Sequence, residues 1–565
     1  MQPCKESNVN DSPHWPDGLS RHLSLPHTSL YDNLDASATR YPQKTAIHFY
    51  GRALTYLQLR KEVEALAGFL QLQCGVARGD RVALYMQNSP QYVIGYFAIL
   101  RANAVIVPVN PMNTSAEFRH VIEDCGAKVV LLGEELFENA CPLLGRLFNH
   151  AIVTRYADYI DEATDLPLPA VLTERASRLD ALPEFSAGVA AKAVRWRAAI
   201  DAAQRPSAKA VSPDDLAVIP YTSGTTGVPK GCMQTHRSAM HVVAASVQWC
   251  RLSPDSIMLC SMPMFHVTGM QHTMNLAIFL GATMVVMTRW DSRCAARLIE
   301  RYRISYWSAI STMMIDFMSL PDLDRFDLSS IEFTGGGGAA MPRALAQRMA
   351  ERLAVPYVEG YGLSETIGAT HLNPPQHCKQ QCLGIPIQDT EAIVVDPETF
   401  EVLDTRSTGE ILVSGPQVFT GYWGRPDATQ EAFVEISGKR YLRTGDLGYI
   451  DEDGYFFVVD RLKRMINASG YKVRPAEVET LLFEHPAIQE ACVVAARDAR
   501  RGETVKAFVV LRAGAEVSAQ QIIAWAHEHM APYKVPTIIE FIAALPRSGS
   551  GKVQWRLLQE REQGA

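Results

Sequence analysis

The sequence predicts an α/β protein: a large, layered, multi-sheet N-terminal domain followed by a small α+β C-terminal unit. Three observations predict it. Apolar runs of strand length alternate with helix-period segments through the N-terminal region. A glycine- and hydroxyl-rich loop leaves the apolar run Leu216-Ala217-Val218-Ile219, as ligand loops leave the strand ends of α/β sheets. The 565 residues also exceed one ordinary core, and the clearest change of pattern lies near Asp460.

Residues 1–28 read as a flexible segment carrying Pro3, Pro13, Pro16 and Pro26, without the apolar stretch of a signal peptide. The large domain is expected over 29–460. Leu30 to Tyr41 has helical periodicity and stops before Pro42, and Thr45 to Phe49 reads as a strand. Thr55 is placed to cap a helix whose apolar face includes Leu59, Val63, Leu66 and Leu70. A strand at Arg81 to Met86, a helix at Tyr92 to Arg101 and a strand at Ala104 to Val109 continue the alternation. Between 157 and 210 an acidic, proline-containing part precedes an alanine-rich helical part, and the segment is expected as a surface insertion. The small unit is expected over 461–565. There Pro475 opens a helix bearing Val478, Leu481 and Leu482, strands follow at Ala491 to Ala495 and Ala507 to Leu511, Ser518 caps a helix, and a strand lies near Thr537 to Phe541.

The most informative stretch is Tyr221-Thr222-Ser223-Gly224-Thr225-Thr226-Gly227-Val228-Pro229-Lys230-Gly231. Glycines admit backbone N–H groups close to an anion, hydroxyls add donors, and Lys230 adds a full positive charge. That combination suits polyphosphate. It is not a Walker loop, because Pro229 precedes Lys230 and Gly231 follows it, so the Gly-Lys-Ser/Thr ending is missing. A plain Ser/Thr/Gly surface loop has a similar composition but no reason for this order.

The loop closely resembles the phosphate loop of adenylate-forming enzymes: acyl-CoA synthetases, peptide-synthetase adenylation domains and beetle luciferases. Further motifs follow in that family's order, and the resemblance spans roughly residues 30 to 560. Gly335-Gly336-Gly337-Gly338 resembles the segment beside adenine and the acyl group, where absent side chains would leave room for ligand. Glu359-Gly360-Tyr361-Gly362-Leu363-Ser364-Glu365-Thr366 contains the aromatic-Gly-x-Ser/Thr-Glu motif. The resemblance implies that Tyr361 packs on adenine, Ser364 reaches the α-phosphate and Glu365 helps hold Mg2+, with Glu359, Gly360 and Gly362 alongside the nucleotide. It further implies that Asp446 and Arg461 bind ribose or phosphate, that Lys463 is an interdomain hinge, and that Lys552 in Ser548-Gly549-Ser550-Gly551-Lys552 is the catalytic lysine of a mobile C-terminal domain. Gly470 of Gly470-Tyr471-Lys472-Val473 would flank a pantetheine tunnel, and Arg289 would lie near the CoA nucleotide. The chain departs from some members at Asn467 and Ser469, where they carry lysines.

Phe265-His266 carries His where amino-acid-activating domains carry Asp to pair the substrate ammonium. Without that partner a buried ammonium is costly, so simple carboxylic acids fit better. Gly269, Met270, Thr312, Met313 and Met314 suggest a pliant apolar pocket for a medium or long alkyl chain, with an aryl acid as the nearest rival. The implied ligands are ATP, Mg2+, CoA and a small-molecule carboxylic acid, in the manner of bacterial fatty-acyl-CoA ligases. An acyl-AMP ligase serving a carrier protein and a catalytically silent nucleotide-binding protein are the other readings weighed.

Composition narrows the classes further. With 47% hydrophobic and 20% charged residues and a net charge of −7, the chain reads as an ordinary globular protein with no basic surface for nucleic acid. Eleven scattered cysteines fit a reducing cytoplasm. Cys378 and Cys382, near His371 and His377, lack the second pair of a zinc site and are expected to be a chance cluster. The longest apolar stretch, Asn275 to Met287, is too short to span a bilayer, while peripheral membrane contact and a homodimer stay open.

Overall fold

Local signals set most of the elements. Thr55 accepts the Gln58 N–H and Gln58 returns to the Thr55 N–H, a reciprocal cap that starts the helix Tyr56–Leu72. Ser89 and the following proline start the helix Pro90–Arg101, and Pro42 lies just beyond the helix Leu30–Arg40. The computed structural model describes residues 12–173, 193–222, 229–338, 341–468, 471–498, 502–547 and 553–563. Contacts divide the chain into two units, Met1–Glu391 with Val413–Glu435, and Ala392–Leu412 with Ile436–Ala565.

The first unit holds two large sheets. One runs in the order Ile385–Pro386, Gly368–Leu372, Tyr357–Leu363, Phe333–Gly337, Tyr306–Ser308, Ile257–Cys260, Thr283–Val286, Thr45–Phe49 and Arg52–Thr55, with a parallel centre. The other runs Gly421–Tyr422, Lys230–Thr235, Leu216–Val218, Val105–Val109, Arg81–Tyr85, Val129–Gly133, His150–Thr154 and Ala193–Arg195. Its central strands are buried on both faces. Val82 and Leu84 enter one core while Ala83 and Tyr85 enter the other, as the two-residue pleat requires. Among the described residues no helix is long and apolar enough to cross a membrane.

Two expectations for this unit are corrected. Residues 12–28, expected to be flexible, are docked. The Trp15 ring meets Trp249 edge-on at 5.2 Å, and Leu23 donates its N–H to Asp389 Oδ2 at 2.8 Å. The described part of the 157–210 segment is not wholly a surface excursion either: much of 161–165 and 201–210 is exposed, but residues 193–200 are built into the fold. Ala193–Arg195 completes a sheet edge parallel to His150–Thr154, and Trp196 is fully buried behind it. The signal was diluted because the strand is only three residues long.

In the second unit, Lys439–Ile450 pairs antiparallel with Phe456–Arg461. A further sheet orders Tyr471–Val473, Ile466–Ala468, Gly502–Leu511 and Ile488–Asp498, and Ile538–Phe541 joins Gly502–Leu511 in parallel. Val493, Val505 and Val509 pack with Val478, Leu482 and Ile522, whereas Cys492, Val494 and Phe508 form a second core with Leu558. These two cores draw only on residues from Ile466 onward, although the division by contacts adds residues 392–412 and 436–460 to the unit. Asp460 ties this region together, accepting the N–H groups of Arg461 and Ala476 at 2.6 and 2.9 Å.

The glycine run also differs from expectation. Phe333–Gly337 is a central strand, and a methyl built on Gly336 would overlap the Ala309 carbonyl oxygen and the Tyr357 hydroxyl. Glycine is needed there for close strand packing, not to open space for ligand. Gly336→Ala is therefore expected to destabilise the protein by about 2 kcal/mol or more, read as a lowered apparent Tm, because overpacking displaces rigid neighbours. An unchanged Tm would contradict this packing.

Candidate active site

Lys230 begins the strand that returns from the phosphate-like loop, and it lies opposite Thr222 in antiparallel register. Residues Ser223, Gly224, Thr225 and Thr226 lie outside the described residues. Two carbonyls of this strand receive the segment that follows Phe419: Thr420 donates to Met233 O at 3.0 Å and Trp423 to Gly231 O at 2.8 Å. The short strand Gly421–Tyr422 is thereby laid antiparallel along Lys230–Thr235, with Cys232 opposite Tyr422.

That pairing puts Tyr422 at the centre of the charged groups. Its ring lies under the Lys230 ammonium, 5.1 Å from Nζ to the ring centre, within cation–π range. Its hydroxyl donates to Glu365 Oε1 at 2.8 Å. Burial, followed by the Glu365 charge, pushes the Tyr422 phenol far above its ordinary pKa, so it stays protonated as a donor. The sequence reading singled out Lys230 and Glu365 but missed Tyr422. A two-residue strand leaves no periodic signal, and Gly-Tyr-Trp-Gly reads only as a turn.

Glu365 is held from its backbone as well. It lies in the single turn Ser364–Thr366, its carbonyl accepts the Phe419 N–H at 2.8 Å, and Gln234 Nε2 donates to the neighbouring Ser364 O at 2.9 Å. Ile367 follows, fully buried, with φ of 46°. A β-branched residue in the left-handed region costs about 1–3 kcal/mol and persists only where its surroundings impose it. The strain sits two residues from the candidate magnesium carboxylate.

A magnesium ion is implied here by the resemblance, and the donor set fits one. Glu365 offers a half-buried hard oxygen, and Lys230 touches the same Tyr422 side chain. Magnesium prefers one or two carboxylates together with phosphate oxygens and water. Among the described residues no three His, Cys, Asp or Glu side chains gather as an all-protein cage.

The other predicted residues are placed variously. Tyr361 lies opposite His371 on the neighbouring strand, with their rings tilted at 62° and 5.7 Å apart. Gly360 faces Gly337 across the parallel pair, and Gly335 pairs with Val358. Gly362 is as tightly packed as Gly336, since a methyl there would overlap the Gly368 carbonyl oxygen. Glu359 is already engaged: its carboxylate accepts the N–H groups of Met341 and Cys382 at 2.7 and 2.9 Å, so it braces two loops. His266 caps a short helical turn, accepting the Thr268 N–H at 3.4 Å, ahead of the π-helix Met270–Asn275. Met270 and Met314 are fully buried in the main core, Met313 nearly so, and Thr312 is exposed, so these residues do not together form an open pocket lining. Arg289 is exposed just beyond the strand Thr283–Val286. Cys378 and Cys382 are occupied locally, Cys378 Sγ approaching the Pro374 carbonyl and Cys382 Sγ accepting the Gly384 N–H.

In the second unit Asp446 and Arg461 stand directly opposite each other on paired strands. Arg461 Nε lies 2.7 Å from Asp446 Oδ1, and the Asp446 side chain is 3% exposed against 45% for Arg461. Gly445, at φ of 68° within the strand Lys439–Ile450, precedes Asp446, and Glu410 braces it by accepting the Gly445 N–H and pairing with Arg443 at 2.8 Å. Lys463 falls in the turn Leu462–Arg464, and Gly470 and Lys552 lie outside the described residues.

Comparisons with known proteins identify the family of the chain. A profile described as "AMP-binding enzyme" matches residues 34–423, and one described as "AMP-binding enzyme C-terminal domain" matches residues 477–552. A long-chain-fatty-acid–CoA ligase of Bacillus subtilis is 35% identical over 553 residues, covering 97% of both chains. A 4-coumarate–CoA ligase of rice is 30% identical, covering 95% of this chain and 92% of its own. The ATP-bound structure of MatB from Rhodopseudomonas palustris superposes with a TM-score of 0.80 at 25% identity, covering 95% of this chain and 99% of that one. The chain belongs to the AMP-binding family of adenylate-forming enzymes.

Proposed function

We propose that the protein is an ATP-dependent carboxylic acid–CoA ligase that activates medium- and long-chain fatty acids through an acyl-AMP intermediate. The observation that carries this reading is the meeting of Lys230 and Glu365 at Tyr422, on a chain alike from end to end with a long-chain-fatty-acid–CoA ligase. An aryl acid is the second reading, favoured by the likeness to a 4-coumarate–CoA ligase.

In the first half-reaction a carboxylate oxygen of the acid bonds to the α-phosphorus of ATP, and the bond to the β-phosphate breaks to release pyrophosphate. Lys230, with Thr222 and the loop hydroxyls, holds the β- and γ-phosphates. Tyr361 packs on adenine beside Gly335, Gly336 and Gly360, Ser364 reaches the α-phosphate, and Asp446 with Arg461 holds the ribose. Glu365 is the protein ligand for magnesium, which supplies charge neutralisation on the phosphates when bound. Lys552 bridges the substrate carboxylate and the α-phosphate and lowers the repulsion between two converging anions. In the second half-reaction the CoA sulfur bonds to the acyl carbon, the thiol proton leaves to solvent, and the carbon–oxygen bond to AMP breaks. Arg289 and the Gly470 loop serve CoA, Lys463 is the hinge between the two steps, and His266 positions the acyl group.

A screen of pyrophosphate release across carboxylic acids, each with and without CoA, tests the reading. Octanoate to palmitate are expected to exceed amino acids and hydroxycinnamates in kcat/KM, with acyl-CoA formed whenever CoA is present. Preference for an aromatic acid would replace the substrate while keeping the ligase, and pyrophosphate release without acyl-CoA would point to a carrier-linked enzyme. Lys552→Ala separates the half-reactions. Adenylation is expected to fall at least ~10²–10³-fold, the cost of one preorganised charge-stabilising group, while conversion of supplied acyl-AMP to acyl-CoA stays near wild type. Near-normal adenylation in this variant would remove Lys552 from the mechanism.

A further inference from the structure

We infer that Tyr422 is a positioning residue that couples the phosphate lysine to the metal carboxylate, and that its hydroxyl tunes the affinity of the ATP site for magnesium. This rests on the ATP-using reading above.

One side chain touches both charged groups. The Tyr422 hydroxyl donates to Glu365 Oε1 at 2.8 Å while the Tyr422 ring lies 5.1 Å from Lys230 Nζ. Two such groups, meeting on one side chain, can instead pair directly. Such a pair would use the positive charge meant for phosphate and the oxygen meant for a cation. The phenol offers each group a separate partner: the carboxylate receives a neutral donor, and the ammonium receives a π face. Neither contact on the phenol brings an opposing charge to the group it touches.

The position of Tyr422 is itself enforced. Its N–H donates to Thr429 Oγ1 at 2.9 Å, and the next residue's N–H donates to Gly231 O. Trp423 turns to the other side, giving its indole N–H to the Asp124 carbonyl at 3.2 Å and taking the Arg81 guanidinium on its ring. The Asp124 carboxylate then receives the hydroxyl of Tyr221, at the mouth of the phosphate loop, at 2.6 Å and Arg425 at 2.5 Å. Residues 419–425 therefore act as a clip across Lys230–Thr235, fixed on both sides, with the Tyr422 hydroxyl as the part directed at Glu365.

The hydroxyl and the ring can be tested apart. Tyr422→Phe keeps the ring beneath Lys230 and removes only the donor to Glu365. Tyr422→Leu removes both. The readout is ATP binding at equilibrium by titration calorimetry, without acid or CoA, over a series of Mg2+ concentrations. Loss of a hydrogen bond to a charged group is expected to change the Mg2+ concentration giving half-maximal tightening of ATP binding about tenfold in Tyr422→Phe. Mg2+-free ATP affinity and Tm should stay at wild-type values in that variant. Tyr422→Leu should in addition weaken Mg2+-free ATP binding about threefold, as Lys230 loses its π partner. A wild-type Mg2+ dependence in Tyr422→Phe overturns the inference, and so does an equal weakening with and without Mg2+, which marks a merely structural tyrosine. Absence of ATP binding in the wild type would overturn the proposed function and the inference with it.

Discussion

The candidate site depends on a two-residue strand. Gly421–Tyr422 pairs with Lys230–Thr235, and through that pairing a tyrosine from late in the first unit reaches the lysine of the phosphate loop and the carboxylate of a separate turn. Unlike charges placed close together in a half-buried setting attract strongly, and a direct pair would leave little field for a ligand. The phenol that both groups touch carries no charge of its own to set against either. The buried, left-handed Ile367 just beyond Glu365 is a second sign that this turn is held by its surroundings and not by local preference.

The second unit handles its charges in the opposite way. Asp446 and Arg461 pair directly at 2.7 Å on neighbouring strands, with the aspartate almost wholly buried and the arginine half exposed. A buried carboxylate needs such a partner, since an isolated one would be costly.

Much of this was legible in the sequence because it depends on local chemistry. The strand Thr45–Phe49, the caps at Thr55 and Ser518, and the helix opened by Pro475 follow from short-range rules and stand where those rules put them. Other features needed the fold. Gly336 reads as space for a ligand, yet its hydrogen faces the Ala309 carbonyl across a sheet, a contact that only strand order reveals. Glu359 reads as part of a nucleotide motif, yet its carboxylate closes two loops. Residues 12–28 look unstructured by composition, and their docking rests on Trp249 and Asp389, far along the chain. Tyr422 was invisible for the same reason.

A double-mutant cycle tests the central claim most directly, that Tyr422 acts on the nucleotide site through Glu365. Mg2+-dependent ATP binding would be measured for wild type, Tyr422→Phe, Glu365→Gln and the double variant. Strong non-additivity is expected: once Glu365 is replaced, losing the Tyr422 hydroxyl changes the Mg2+ dependence little further. Full additivity of the two single effects would contradict it, because each residue would then be acting without the other.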